Sequence, residues 1–153
     1  MNEKFEKIVE LVQSTNNIQD IKSEIPNIES KITFIDYGLD RIVFNINYPQ
    51  YKNYVLKVAR NKNKNKLNEN EYKNYKNLKN TKYHDWLCPI NENKVGNDYS
   101  YILMEKVDMS QGDYVKVTNN LINICSAEEI SSHNIGLHND LGSVLVDYTY
   151  KMY

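Results

Sequence analysis

The chain has 153 residues, long enough for one globular domain with a real core and short for two, and its 41% hydrophobic and 25% charged content excludes wholesale disorder. A net charge of −1 gives no global pull toward nucleic acid or anionic lipid, so any such contact must be local. No window approaches the roughly 20 apolar residues that span a bilayer, and the opening MNEKFEKIVELVQS lacks the apolar core of a secretory signal or anchor. These features predict an intracellular, cytoplasmic protein with no membrane partner. Cys88 and Cys125 lie far apart outside any CxxC pattern, which suggests neither a disulfide framework nor a zinc site. His84, His133 and His138 show no ligand spacing.

Phe5, Ile8, Val9 and Val12 recur at helical spacing and predict a short amphipathic helix over residues 3–14, ended by Asn16 and Asn17. Pro26 interrupts residues 21–28, which read as a linker or one further turn. Residues 1–30 are therefore an N-terminal helix and linker. The period then changes. Residues 31–47 alternate apolar and polar positions around Gly38, as a two-stranded hairpin does, and YVLKVA at 54–59 is a third strand with Lys57 inside an apolar run. An ammonium in such a strand calls for a partner.

Within the polar stretch 60–82, Leu67, Glu71, Tyr75 and Leu78 fall at spacings of four, four and three, so its second half reads as a helix after a solvated loop. Two more strands are expected at 86–90 and 99–107, joined by a turn containing Gly96. Beyond Asp108 the pattern weakens. Leu121, Ile122 and Cys125 predict a helix over 118–126 with Thr118 as N-cap, followed by short strands at 135–137 and 144–147.

Three strands, a helix and two strands is the order of a protein-kinase N-lobe, and over residues 32–148 the chain resembles a reduced protein kinase. The resemblance implies an α+β fold in one domain, with a five-stranded antiparallel N-lobe sheet and one helix in 31–107 and a truncated C-lobe in 108–153. Lys57 matches the third-strand lysine that holds the α- and β-phosphates of ATP, and Glu71 the helix glutamate that pairs with it. Met104 resembles the gatekeeper, and Glu105 to Val107 the hinge whose backbone binds adenine. Gly38 matches one glycine of the phosphate-covering loop, and Val43 the valine that packs on adenine. Asn134 aligns with the metal-binding asparagine of the catalytic loop, and Asp147, thirteen residues on, with the aspartate of Asp-Phe-Gly. Such oxygen ligands imply ATP bound with Mg²⁺.

The departures shape the expected function. Glu129 stands where the family places its catalytic Asp, one methylene longer, and a base displaced by about 1 Å can lose on the order of a hundredfold in rate. Asp-Phe-Gly has become Asp147-Tyr148-Thr149, Arg41 replaces a glycine of the phosphate loop, and the 23 residues between Glu105 and Glu129 leave no room for the usual C-lobe helices. The resulting expectation is a pseudokinase-like regulatory module, able to bind ATP and acting through another protein. Its small size and Asn/Lys/Ile/Tyr-rich usage suit a viral or mobile-element protein in a host cytoplasm. The alternatives are an active phosphotransferase with Glu129 as base, and a nucleic-acid-associated protein using the basic 60–82 face, the less favoured since that face reads as solvated. Lys57 also fits an edge-strand lysine reaching solvent, Glu71 a surface charge, and Asn134 and Asp147 turn and cap residues.

Overall fold

In the computed structural model, which describes residues 2–126 and 130–152, the alternation of the first half of the chain becomes a five-stranded antiparallel sheet. The chain divides into two units, Met1–Glu69 with Asn91–Met104, and Asn70–Ile90 with Glu105–Tyr153. Its elements in order are α1 (Asn2–Ser14), α2 (Ile18–Ile28), β1 (Ile32–Tyr37), β2 (Arg41–Ile46), β3 (Tyr54–Ala59), α3 (Asn65–Asn77), β4 (Ile90–Val95), β5 (Tyr101–Glu105), α4 (Tyr114–Leu121), β6 (Ile135–His138) and β7 (Gly142–Leu145). No described helix is long and apolar enough to cross a membrane.

The first unit is built on period two. Ile42, Phe44 and Ile46 of β2 face the same way as Leu56 and Val58 of β3 and Tyr101 and Leu103 of β5, and all join one core with Phe5, Ile8, Val9 and Val12 of α1 and Ile21 and Ile25 of α2. The strand order β1-β2-β3-β5-β4 leaves β3 central. Residues 21–28 correct the linker expectation, because α2 is a full helix despite Pro26. Asn17 caps it by accepting the N–H groups of Gln19 at 2.9 Å and Asp20 at 3.2 Å. A proline inside a helix costs about 3 kcal/mol, yet Ile21 and Ile25 are both fully buried, and each contributes about 1.5–3 kcal/mol. Burial on one face outweighs the lost hydrogen bond near the helix end.

The root of the β1–β2 hairpin is fixed by α3. Arg41 is buried and its Nη1 donates to Asn68 Oδ1 at 3.2 Å. Asn68 Nδ2 in turn donates to the carbonyl of Tyr99 at 2.9 Å. Tyr99 sits at φ 58, a left-handed conformation that costs a bulky residue roughly 1–2 kcal/mol, and the Asn68 bond offsets part of it.

In the second unit, β6 and β7 form a hairpin with Ile135 opposite Leu145 and His138 opposite Gly142. The apolar run 86–90 does not form the strand expected from sequence, since β4 begins only at Ile90. It is a short turn at His84–Trp86 followed by an extended segment whose Cys88 N–H donates to Leu145 C=O at 2.9 Å; the buried run is paired through single bonds, not a ladder. The last helix also begins earlier than expected. Asp113, not Thr118, caps α4 by accepting the Lys116 N–H at 3.0 Å.

Lys4 pairs with Glu29, which also accepts from Tyr48 and from the Lys31 N–H. These donors, the Lys4 ammonium foremost, hold the Glu29 carboxyl down at about 2. A depressed carboxylate stabilises the fold above its unfolded value of about 4.5 and loses that contribution as pH falls from there through 2. Glu29→Gln should therefore melt roughly 3–6 °C below wild type at pH 7, with the gap closing as pH is lowered through 4.5 toward 2. Melting curves of both proteins across that range check it.

Candidate functional site

Lys57 lies on the face of β3 opposite the helices, since its neighbours Leu56 and Val58 point into the α1–α2 core. Only 7% of it is exposed. Its strand partner on β2 is Val43, and its Nζ donates to Met104 Sδ at 3.6 Å. Three of the residues singled out from sequence, Val43, Lys57 and Met104, are thus brought together on one face within the first unit. A buried ammonium on a central strand carries a desolvation penalty of several kcal/mol that packing alone does not repay, and positions of that kind concentrate at functional sites.

Gly38 is exposed at the tip of the β1–β2 turn. Its N–H donates to Arg41 C=O at 2.9 Å, and its own carbonyl accepts from Arg60 Nη1 at 3.0 Å. Lys64 pairs with Asp40 of the same turn at 2.8 Å. A Cβ at position 38 meets nothing nearer than the Arg41 carbonyl at 4.0 Å, so the fold does not require a glycine there.

The second unit carries the other residues. Glu71 is fully buried, and its Oε1 accepts the Tyr148 N–H at 2.9 Å. Asn134 ends the turn Ser132–Asn134, and its carbonyl accepts the Val146 N–H at 2.7 Å. That bond sets Asn134 beside the residue preceding Asp147, whose side chain is half-buried. Glu129 lies outside the described residues.

Glu105 and Val107 stand on a segment laced to β6. Asp108 and Leu137 exchange main-chain hydrogen bonds at 2.9 Å each way. A Cβ on Gly136 would come within 2.4 Å of Val107 Cγ2, so glycine at 136 is what allows Val107 to pack on the strand. Cys88 Sγ donates to the Glu105 carbonyl at 3.2 Å, and His138 Nε2 lies 2.6 Å from Glu105 Oε2. His138 Nδ1 accepts the N–H groups of Asp140 at 3.1 Å and Leu141 at 3.2 Å. An imidazole nitrogen that accepts carries no proton, so Nε2 carries it and donates to Glu105.

Two asparagines on α3 escaped the sequence reading. Asn68 and Asn74 are fully excluded from solvent alongside Glu71, although a polar helix face ordinarily indicates solvation. The available signal was position. Asn68, Glu71 and Asn74 lie on the same side of the helix as Tyr75 and Leu78, which put carboxamides on an otherwise apolar stripe. Among the described residues no group of three or more His, Cys, Asp or Glu side chains could hold a metal ion.

The chain matches no protein-family model, no curated protein and no solved structure.

The tautomer of His138 is open to direct measurement. In ¹⁵N-labelled protein at pH 7, Nδ1 should resonate as the unprotonated nitrogen and Nε2 as the protonated one. Glu105→Ala should remove the acceptor and shift the Nε2 signal while leaving Nδ1 unprotonated.

Proposed function

We propose that this chain is a reduced kinase-like regulatory module that binds a magnesium nucleotide and acts on another protein, with phosphate transfer lost. The observation that carries the reading is Lys57, an ammonium buried on the central strand of a sheet ordered β1-β2-β3-β5-β4. Triphosphate is the ligand that a lysine at that place in a kinase-like sheet serves.

Further support comes from the second unit, where the Val146 N–H donates to the Asn134 carbonyl and so ties Asn134 to the residue before Asp147. When bound, the magnesium ion would neutralise phosphate charge; Asn134 and Asp147 would hold it. Val43 and Met104 offer the apolar surface that suits a base. Against transfer stand Glu129 at the position of the catalytic carboxylate and Thr149 in place of the glycine. In favour of a protein partner, the second unit exposes Met109, Val115 and Leu141. Val115 also lines an open hollow of about 450 Å³ with Tyr114 and Leu137.

Calorimetric or thermal-shift titration with ATP tests the nucleotide claim. ATP with Mg²⁺ should raise the melting temperature of wild type by several degrees, as expected for a ligand well above its Kd, and Asp147→Ala should lose at least tenfold in Mg²⁺-dependent affinity. No shift in wild type would defeat the proposal. Radiolabelled γ-phosphate should remain on ATP with generic protein acceptors, and transfer abolished by Asp147→Ala would establish an enzyme instead.

Gly38→Ala separates fold from ligand at the hairpin tip. The substitution should leave the melting temperature within about 1 °C, because nothing crowds the new Cβ. Nucleotide affinity should fall a few-fold where the turn's backbone approaches phosphate. Parallel melting and binding curves read the two effects separately.

A further inference from the structure

Asp147 is followed by a segment whose main-chain groups are tied to buried side chains of α3 and whose Tyr148 and Met152 side chains are themselves buried. Asn74 Nδ2 donates to the carbonyls of Tyr148 at 2.6 Å and Tyr150 at 2.5 Å, and Asn74 Oδ1 accepts the Met152 N–H at 2.9 Å. One carboxamide thus fastens three main-chain groups spread over five residues, and it is fully buried. Glu71 takes the Tyr148 N–H, and the Tyr148 hydroxyl donates to Cys88 C=O at 2.5 Å. On the other side of Asp147, Val146 is tied to Asn134. The aspartate therefore sits on a short span of backbone pinned at both neighbours, with its side chain half-buried.

We infer that Asn74 is a positioning residue for Asp147. By fixing residues 148–152 it sets the direction in which the Asp147 carboxylate leaves the chain relative to Asn134. This rests on the reading that Asn134 and Asp147 hold a magnesium ion. Magnesium enforces near-octahedral oxygen geometry, so a shift of about 1 Å in one ligand, released by the loss of Asn74, is felt at the ion before it is felt at the nucleotide. The coupling is also reciprocal: whatever ordering of 148–152 favours the ion, the ion must favour in return.

The experiment measures two affinities in wild type, Asn74→Ala and Asn74→Asp: that of ATP in EDTA, and the Mg²⁺ midpoint at saturating ATP. Circular dichroism at the assay temperature first establishes that each variant is folded. Asn74→Asp keeps the acceptor for Met152 and loses both donors. The expected result is a Mg²⁺ midpoint raised tenfold or more in both variants, with metal-free ATP affinity within about twofold of wild type. A midpoint unchanged in folded variants overturns the positioning role even where the melting temperature falls, because a merely structural residue lowers stability alone. A wild type that binds ATP without any response to Mg²⁺ overturns this inference and spares nucleotide binding. A wild type that binds no ATP defeats both. Where neither variant folds, hydrogen exchange of the Asn74 carboxamide in wild type decides. Mg²⁺ with ATP should slow it at least tenfold relative to ATP in EDTA, and equal rates overturn the proposal.

Discussion

A helix that buries amides and a carboxylate must satisfy all of them, and that demand organises what surrounds α3. A buried polar group left without a partner costs about 1–3 kcal/mol, a large share of the total stability of a small protein. In the first unit Asn68 meets the demand by accepting from Arg41 and donating to the strained Tyr99. In the second, Glu71 and Asn74 meet it with the main chain of Tyr148, Tyr150 and Met152. Segments with weak propensity of their own, the turn before β5 and the residues after Asp147, are ordered because buried acceptors and donors on α3 require them.

The sheet of the first unit shows how strict alternation creates a second kind of constraint. Period two sends Leu56 and Val58 into the α1–α2 core and leaves Lys57 between them on the other face. No slip of register could relieve this, since moving β3 by one residue would expose its apolar set and bury its polar one. The lysine is locked into place by its neighbours' burial. Val43 lies across the strand from it, and the Met104 sulfur is 3.6 Å from its ammonium.

The parts of this organisation that were legible in sequence are those with a strong period. The α1 stripe, the hairpin around Gly38 and the third strand over 54–59 all follow from spacing alone, and the structure places them there. The α2 helix was obscured by Pro26, whose cost is local and visible while the burial that outweighs it is tertiary. The run 86–90 read as a strand because it is apolar; Leu87, Cys88 and Ile90 are buried, but Cys88 and Pro89 are tied by single bonds to Leu145 and Glu105 and not by a ladder. Asn68 and Asn74 were invisible for a different reason. Sequence treats asparagine on a helix as solvated, and only the fold reveals the carbonyls waiting for it. Of the candidate site, the neighbourhood of Val43, Lys57 and Met104 follows from strand register. The bond between Asn134 and the residue before Asp147 follows from the β6–β7 hairpin. The role of each residue is chemistry that register does not fix.

The phosphate-covering loop offers the last step. In a loop rich in glycine the backbone can fold down onto phosphates because it is unencumbered and mobile. The β1–β2 turn of this chain is restrained from three directions. Arg41 turns inward to Asn68; Arg60 donates to the Gly38 carbonyl and to Asn16; Lys64 pairs with Asp40. Three cations are spent on holding the turn to its own unit. A turn so fastened is a fixed wall more than a flap. A rigid wall is compatible with binding, where preorganisation lowers the cost of capture.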